Sequence, residues 1–103
     1  MEQIERIKKM EARLERAEGA IAGLNRAMEL YEDSMEDIAA LADYLTSDEW
    51  MEDFEADEAG ALPEDLKRGA LAEDGIFDML EENRQTQVRL AELLAEILRR
   101  GRR

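Results

Sequence analysis

From Ile7 to Leu45, apolar side chains recur in alternating steps of three and four: Ile7, Met10, Leu14, Ala17, Ile21, Leu24, Met28, Tyr31, Met35, Ile38, Ala42 and Leu45. A period of about 3.5 residues keeps one stripe of an α-helix apolar, whereas a strand would need a period of two. The pattern therefore predicts one long helix over about residues 3–46, of the kind found in coiled coils and helical bundles. Glu2 lies four residues before Arg6 and Glu5 four before Lys9, spacings that support a helix by about 0.2–0.5 kcal/mol per pair. Gly19 and Gly23 weaken it by about 1 kcal/mol each relative to alanine, and together with Ala20 and Ala22 they make a stretch that another helix can approach closely.

The rest of the chain reads as helix as well. Strands favour β-branched and aromatic residues in alternation, yet the sequence has one valine, Val88, and only two phenylalanines. Thr46-Ser47-Asp48-Glu49 is a capping pattern, in which a hydroxyl accepts from the opening N–H groups of a new helix. A short helix is expected over about 48–57, with Trp50, Met51 and Phe54 on one side and acids on the other. Ala59-Gly60-Ala61-Leu62-Pro63 is a loop, and Pro63 suits the first position of a one-turn helix over about 63–68 closed by Gly69. The last helix is expected over about 73–100. Its seam runs Ile76, Leu80, Asn83, Gln87, Leu90, Leu94, Ile97, with the two polar members acting as register devices. Gly101 stops it, and Arg99, Arg100, Arg102 and Arg103 complement its negative carbonyl end.

The expected architecture is all-α, one domain over residues 1–103: a long N-terminal helix packed antiparallel against the C-terminal helix, with two short helices between them. At about 1.5 Å per residue the first helix is about 65 Å long and the last about 40 Å. One return helix cannot cover the whole stripe, so short middle helices or a second copy of the chain should cover the remainder, which makes a homodimer the expected state.

Charge is distributed unevenly. The net charge is −13, yet residues 1–26 hold six basic and five acidic residues, and residues 67–103 hold eight and seven. Residues 27–66 hold fifteen acids and no Lys or Arg. Such a field repels phosphate backbones and attracts cationic surfaces, so direct nucleic-acid binding is not expected. No apolar run approaches the roughly 20 residues of a membrane span, Met1 to Met10 lacks the apolar stretch of a secretory signal, and there is no cysteine. The expected location is the cytoplasm, without membrane association.

No histidine is present, which removes the commonest general base and the usual nucleophile pairs. Carboxylates with a hard metal would remain. The run Asp48, Glu49, Glu52, Asp53, Glu55, Asp57, Glu58 fails the calcium-loop pattern, because taking Asp53 as position one puts Glu58 where a glycine is required. It reads as a solvated face. No phosphate-cradling glycine motif occurs. No catalytic, metal or cofactor residue is assigned, and no enzymatic activity is expected.

The candidate partner-binding residues are Trp50, Asp53, Phe54, Asp57 and Glu58, an aromatic pair among acids. The competing and favoured reading of Trp50 and Phe54 is a core plug packed on Leu62, Leu66, Leu71 and Phe77. Pro63, Lys67, Arg68 and Gly69 form a candidate structural connector, in which Lys67 and Arg68, the first bases after residue 26, pair with acids of the 48–58 helix.

Between residues 43 and 83 the segments Asp43-Tyr44-Leu45, Ser47-Asp48-Glu49-Trp50-Met51-Glu52-Asp53-Phe54, Leu62-Pro63-Glu64-Asp65-Leu66-Lys67-Arg68-Gly69 and Glu73-Asp74-Gly75-Ile76-Phe77-Asp78 resemble a family of small bacterial proteins known as domain of unknown function 4298. Members often have a serine where this chain has Ala72, a better cap for the last helix. The resemblance implies a bacterial, intracellular, helical protein and no particular activity. The functional expectation is an acidic interaction or scaffold module that binds a protein partner or itself. The alternatives are a nucleic-acid mimic that inhibits a basic DNA- or RNA-binding protein, and a carboxylate-metal enzyme.

Overall fold

A computed structural model of the chain describes residues 1–101. Among the described residues the structure is all helical: α1 Glu2–Leu45, α2 Asp48–Glu58, a 3₁₀ turn Gly69–Leu71, and α3 Gly75–Arg100. A long N-terminal helix, a short middle helix and a C-terminal helix packed against the first are thus present as expected. Arg102 and Arg103, assigned above to the end of the last helix, lie outside the described residues.

Two residues, Thr46 and Ser47, separate α1 from α2. The Ser47 hydroxyl donates to the Tyr44 carbonyl at 2.6 Å and accepts from the Trp50 N–H at 3.2 Å, while its backbone is extended (φ −92°, ψ 159°). It therefore adds a second bond to the Tyr44 carbonyl, which also accepts the Ser47 backbone N–H at 3.0 Å, and satisfies one N–H left open at the start of α2. The cap is Ser47 and not Thr46, whose hydroxyl turns back to the Asp43 carbonyl at 3.4 Å.

Gly60 ends α2. Its φ of +69° lets its N–H reach the Asp57 carbonyl and the Ala61 N–H reach the Ala56 carbonyl, both at 3.0 Å, the paired bonds of a left-handed helix terminus.

The sequence reading of residues 63–68 as a one-turn helix is not what forms. Leu66 N–H closes a single turn on the Pro63 carbonyl at 3.2 Å, and the Arg68 Nη2 also donates to that carbonyl, at 2.5 Å. Six residues with one closing bond are too few to offset helix nucleation, and the Arg68 side chain supplies what a second turn would have supplied. The helical turn forms instead at Gly69–Leu71, through Leu71 N–H to the Arg68 carbonyl at 2.9 Å. Gly69 opens a turn rather than closing one.

The last helix starts at Gly75, two residues later than expected, with Asp74 at the N-cap. Ala72 is therefore not its cap, and the serine common in the family would not occupy that role here. The late start has a steric cause: a Cβ on Gly75 would lie 2.2 Å from the Gly69 carbonyl oxygen, so only glycine lets α3 begin against the 3₁₀ turn.

The contacts of the chain fall into two parts, Met1–Asp37 and the residues from Ile38 onward. The first is helix alone. No residue of α1 is buried, and Ile7, Met10, Leu14, Ile21, Leu24 and Met28 remain 47–61% exposed. Gly19 and Gly23 have nothing within 4 Å of a Cβ, so neither serves a close helix approach within the chain.

The second part holds the core. Leu71 (8% exposed) and Ile76 (4%) are its buried members. Leu41 of α1 and Ile76 and Met79 of α3 share a shallow hollow with Gly69, Ala70 and Gly75, which is where α3 packs against the end of the first helix. Leu66 and Phe77, assigned above to the plug, are 47% and 58% exposed and lie outside it. Asn83 is half-buried and Gln87 exposed.

Two glycine substitutions test this account with opposite signs. Gly75→Ala should destabilise the chain by about 1–3 kcal/mol, the usual cost of forcing an extra carbon into a filled site. Gly23→Ala, in open helix, should stabilise by about 0.4–1 kcal/mol. Urea titration followed by circular dichroism measures both, and a neutral Gly75→Ala would remove the steric explanation for the start of α3.

Candidate interaction site

The acidic helix α2 has two faces, and Met51 is not on the one expected: it lies exposed among acids and not beside the half-buried Trp50 and Phe54. Trp50 and Phe54, one turn apart, stack with ring centroids at 5.0 Å and an interplanar angle of 14°. Both are half-buried. The Trp50 indole N–H donates to the Ala70 carbonyl at 2.9 Å, which ties α2 to the 3₁₀ turn. A buried or half-buried indole normally places its N–H in this way. The core plug expected for this pair is not reproduced as drawn: Leu66 and Phe77 are exposed, and of its four expected neighbours only Leu71 is buried.

Two of the candidate acids also have partners within the chain. Asp53 accepts a hydrogen bond from the Tyr44 hydroxyl, Oδ2 to Oη at 2.5 Å, linking α2 to the last turn of α1. Asp57 lies 3.0 Å from the Arg68 Nε. That contact is an ion pair and not an aligned hydrogen bond, because the Nε finds no acceptor in hydrogen-bonding geometry. The Arg68 Nη2 hydrogen bond to Pro63 holds the guanidinium in place. The side chains of Arg68 and Asp57 are 34% and 26% exposed, so the pair is partly screened by solvent and contributes modestly. Lys67, the other connector base, is exposed. Arg68 thus makes the expected tie between connector and α2, with Pro63 as its carbonyl anchor.

The outward face of α2 carries Asp48, Met51, Glu52, Glu55 and Glu58, all exposed and spaced by three and four residues, so that they line one side. Met51 is 52% exposed and is surrounded on that side by carboxylates. Of the five candidate partner-binding residues only Glu58 belongs to this face. Trp50, Asp53, Phe54 and Asp57 all make contacts inside the chain. The expectation that put Met51 on the side of Trp50 and Phe54 grouped it by apolar character, whereas the helical spacing of 48, 51, 52, 55 and 58 places it with the acids. Among the described residues no three acids converge on a point that would hold a metal ion, and no helix is long and apolar enough to cross a membrane.

The ionisation of Tyr44 is displaced: its pKa is raised from 10.0 to about 12, first by the hydrogen bond to Asp53, then by burial, then by the negative charges of Asp53 and Glu49. Each cause favours the neutral phenol.

Fold and site together define a small helical protein with an exposed, carboxylate-lined face on α2. The family model of Domain of unknown function (DUF4298) matches residues 7–93, and the chain belongs to that family. No curated protein and no solved structure matches it.

Two outcomes follow from the geometry. Arg68→Glu places like charges together and should lower the melting temperature by about 2–8 °C, corresponding to roughly 1 kcal/mol, while Lys67→Glu should change it little; equal effects would contradict the assignment of the pair to Arg68. Because the Tyr44 pKa in the folded chain lies above its unfolded value, its contribution to stability is complete below pH 10 and is lost as pH rises toward about 12. Phenolate absorbance should show this late ionisation in the native chain and lose it in Tyr44→Phe.

Proposed function

We propose that the chain is a non-enzymatic interaction module whose outward α2 face docks a cationic, amphipathic protein segment. The observation that carries the reading is the division of labour on α2. Trp50, Asp53 and Asp57 hold the helix to its neighbours and Phe54 stacks on Trp50, which leaves Asp48, Glu52, Glu55 and Glu58 around an exposed Met51. A docked basic helix would pair with the carboxylates at its edges and cover the flexible, polarisable Met51 at its centre. The charge of the surrounding sequence supports the same polarity, since residues 27–66 contain fifteen acids and no base. Long-range attraction of this kind speeds encounter and weakens with salt, whereas the methionine contact supplies a part of the affinity that salt does not remove.

The test uses a synthetic Lys/Leu amphipathic helical peptide as the probe. Glu52→Lys, Glu55→Lys and Glu58→Lys combined should weaken binding at least about tenfold, and Met51→Ser should weaken it by a factor of a few at every salt concentration. The control reverses three acids of α1, Glu29, Glu32 and Glu36. If that control loses as much affinity as the α2 variant, binding reflects overall charge and the docking face is not the one proposed.

A further inference from the structure

The Met1–Asp37 part of the chain has a feature that the acidic face does not use. Its stripe, Ile7, Met10, Leu14, Ile21, Leu24 and Met28, lies about half-exposed along a helix with no buried residue. With Ile7 at heptad position a and Met10 at d, the flanking g positions are Arg6, Arg13, Ala20 and Ala27, and the flanking e positions are Ile4, Glu11, Glu18 and Asn25. Both charged g positions are arginine and both charged e positions are glutamate.

We propose that this stripe is covered by the same stripe of a second copy of the chain, in a parallel, in-register, two-stranded coiled coil running from Ile7 to Met28. The charges select the orientation. In a parallel pair each g residue faces the e residue five positions later on the partner helix, and e/g pairs of opposite sign set orientation and partner choice. Arg6 then meets Glu11 of the second copy and Arg13 meets Glu18, and symmetry doubles each pair. In an antiparallel pair g faces g and e faces e. The arginines then meet only arginine or alanine, and the glutamates meet only glutamate, Ile4 or Asn25, so no antiparallel register joins opposite charges at these positions.

The seam itself favours two strands. Isoleucine occupies a at Ile7 and Ile21 with leucine at d at Leu24, a distribution associated with dimers, whereas isoleucine at both a and d would favour larger assemblies. Ala17 at d is small, and the two glycines fall at outer positions: Gly19 at f and Gly23 at c, with open space around both. Neither interrupts the seam. The charge balance of this region fits self-association as well, since residues 1–26 carry six bases and five acids, unlike the acidic segment that would repel its own copy. The proposal concerns residues 7–28 and does not rest on the α2 reading.

The chain has no cysteine, so one introduced thiol reports which face is paired without background, and the charge exchange below reports orientation. In the full chain, Ala17→Cys at the seam should oxidise to a covalent dimer under mild conditions, while Arg26→Cys on the outer face should not. Sedimentation equilibrium should give a dimer. Arg6→Glu with Arg13→Glu should raise its dissociation constant on the order of tenfold or more, and adding Glu11→Arg and Glu18→Arg should restore it. Restoration keeps the test decisive even if the double variant loses helicity. The α2 reversal Glu52→Lys, Glu55→Lys, Glu58→Lys should leave dimerisation unchanged, which separates this proposal from the docking reading. A monomeric wild-type chain, an Ala17→Cys chain that forms no covalent dimer, or a dimer that the fourfold exchange fails to restore would overturn the proposal.

Discussion

The carbonyl groups of the 3₁₀ turn are the constraint on which the folded end of this protein depends. The Ala70 carbonyl accepts the Trp50 indole N–H, and the Gly69 carbonyl sits where any side chain on Gly75 would lie. The same turn buries Leu71. Three residues thus receive α2 from one side and α3 from the other. With so few buried side chains the hydrophobic contribution is small, at about 1.5–3 kcal/mol for each fully covered aliphatic group, so directional contacts at the turn decide which arrangement forms. The Arg68 side chain, anchored on Pro63 and paired with Asp57, fixes the approach to the turn.

Holding α2 in this way has a functional consequence. A free amphipathic helix could rotate about its own axis and present any face. Here the bond from Trp50 to Ala70, the bond from Tyr44 to Asp53 and the pair of Asp57 with Arg68 lock one face inward. The acids left outside are preorganised, so a partner would pay no ordering cost for the helix itself. A long apolar stripe at the other end of the chain, about half-covered along its length, carries a different kind of information: pairing by hydrophobic burial and by the order of charges beside it. Covering the exposed half of each large side chain there is worth about 1 kcal/mol, enough in sum to matter against a marginal folding free energy.

Much of the architecture was legible in residue spacing. The three-and-four rhythm from Ile7 to Leu45 predicts α1 within a residue at each end, because helix periodicity is a local property repeated many times. Ser47 and Gly60 were visible as punctuation for the same reason. The one-turn helix at 63–68 was misplaced because Pro63 permits a helix without requiring one, and the choice fell to a side-chain hydrogen bond from Arg68, which no backbone periodicity reports. Phe77 was read as core because it is large and apolar, yet the rotation of α3 set by Gly75 buries Ile76 and turns Phe77 out.

The sequence by itself determined that this chain is helical, that its excess negative charge is confined to residues 27–66, and that α1 carries an apolar stripe with ordered flanking charges. These are properties of composition and of spacing along one helix, which need no knowledge of what lies nearby. Only the tertiary structure decided where the connector turns, which side of α2 faces inward, and that Trp50, Asp53, Phe54 and Asp57 are occupied within the chain. Those outcomes depend on contacts such as Trp50 with Ala70, twenty residues apart, and on a carbonyl that excludes a single carbon atom. Neither leaves a periodic trace in the order of residues.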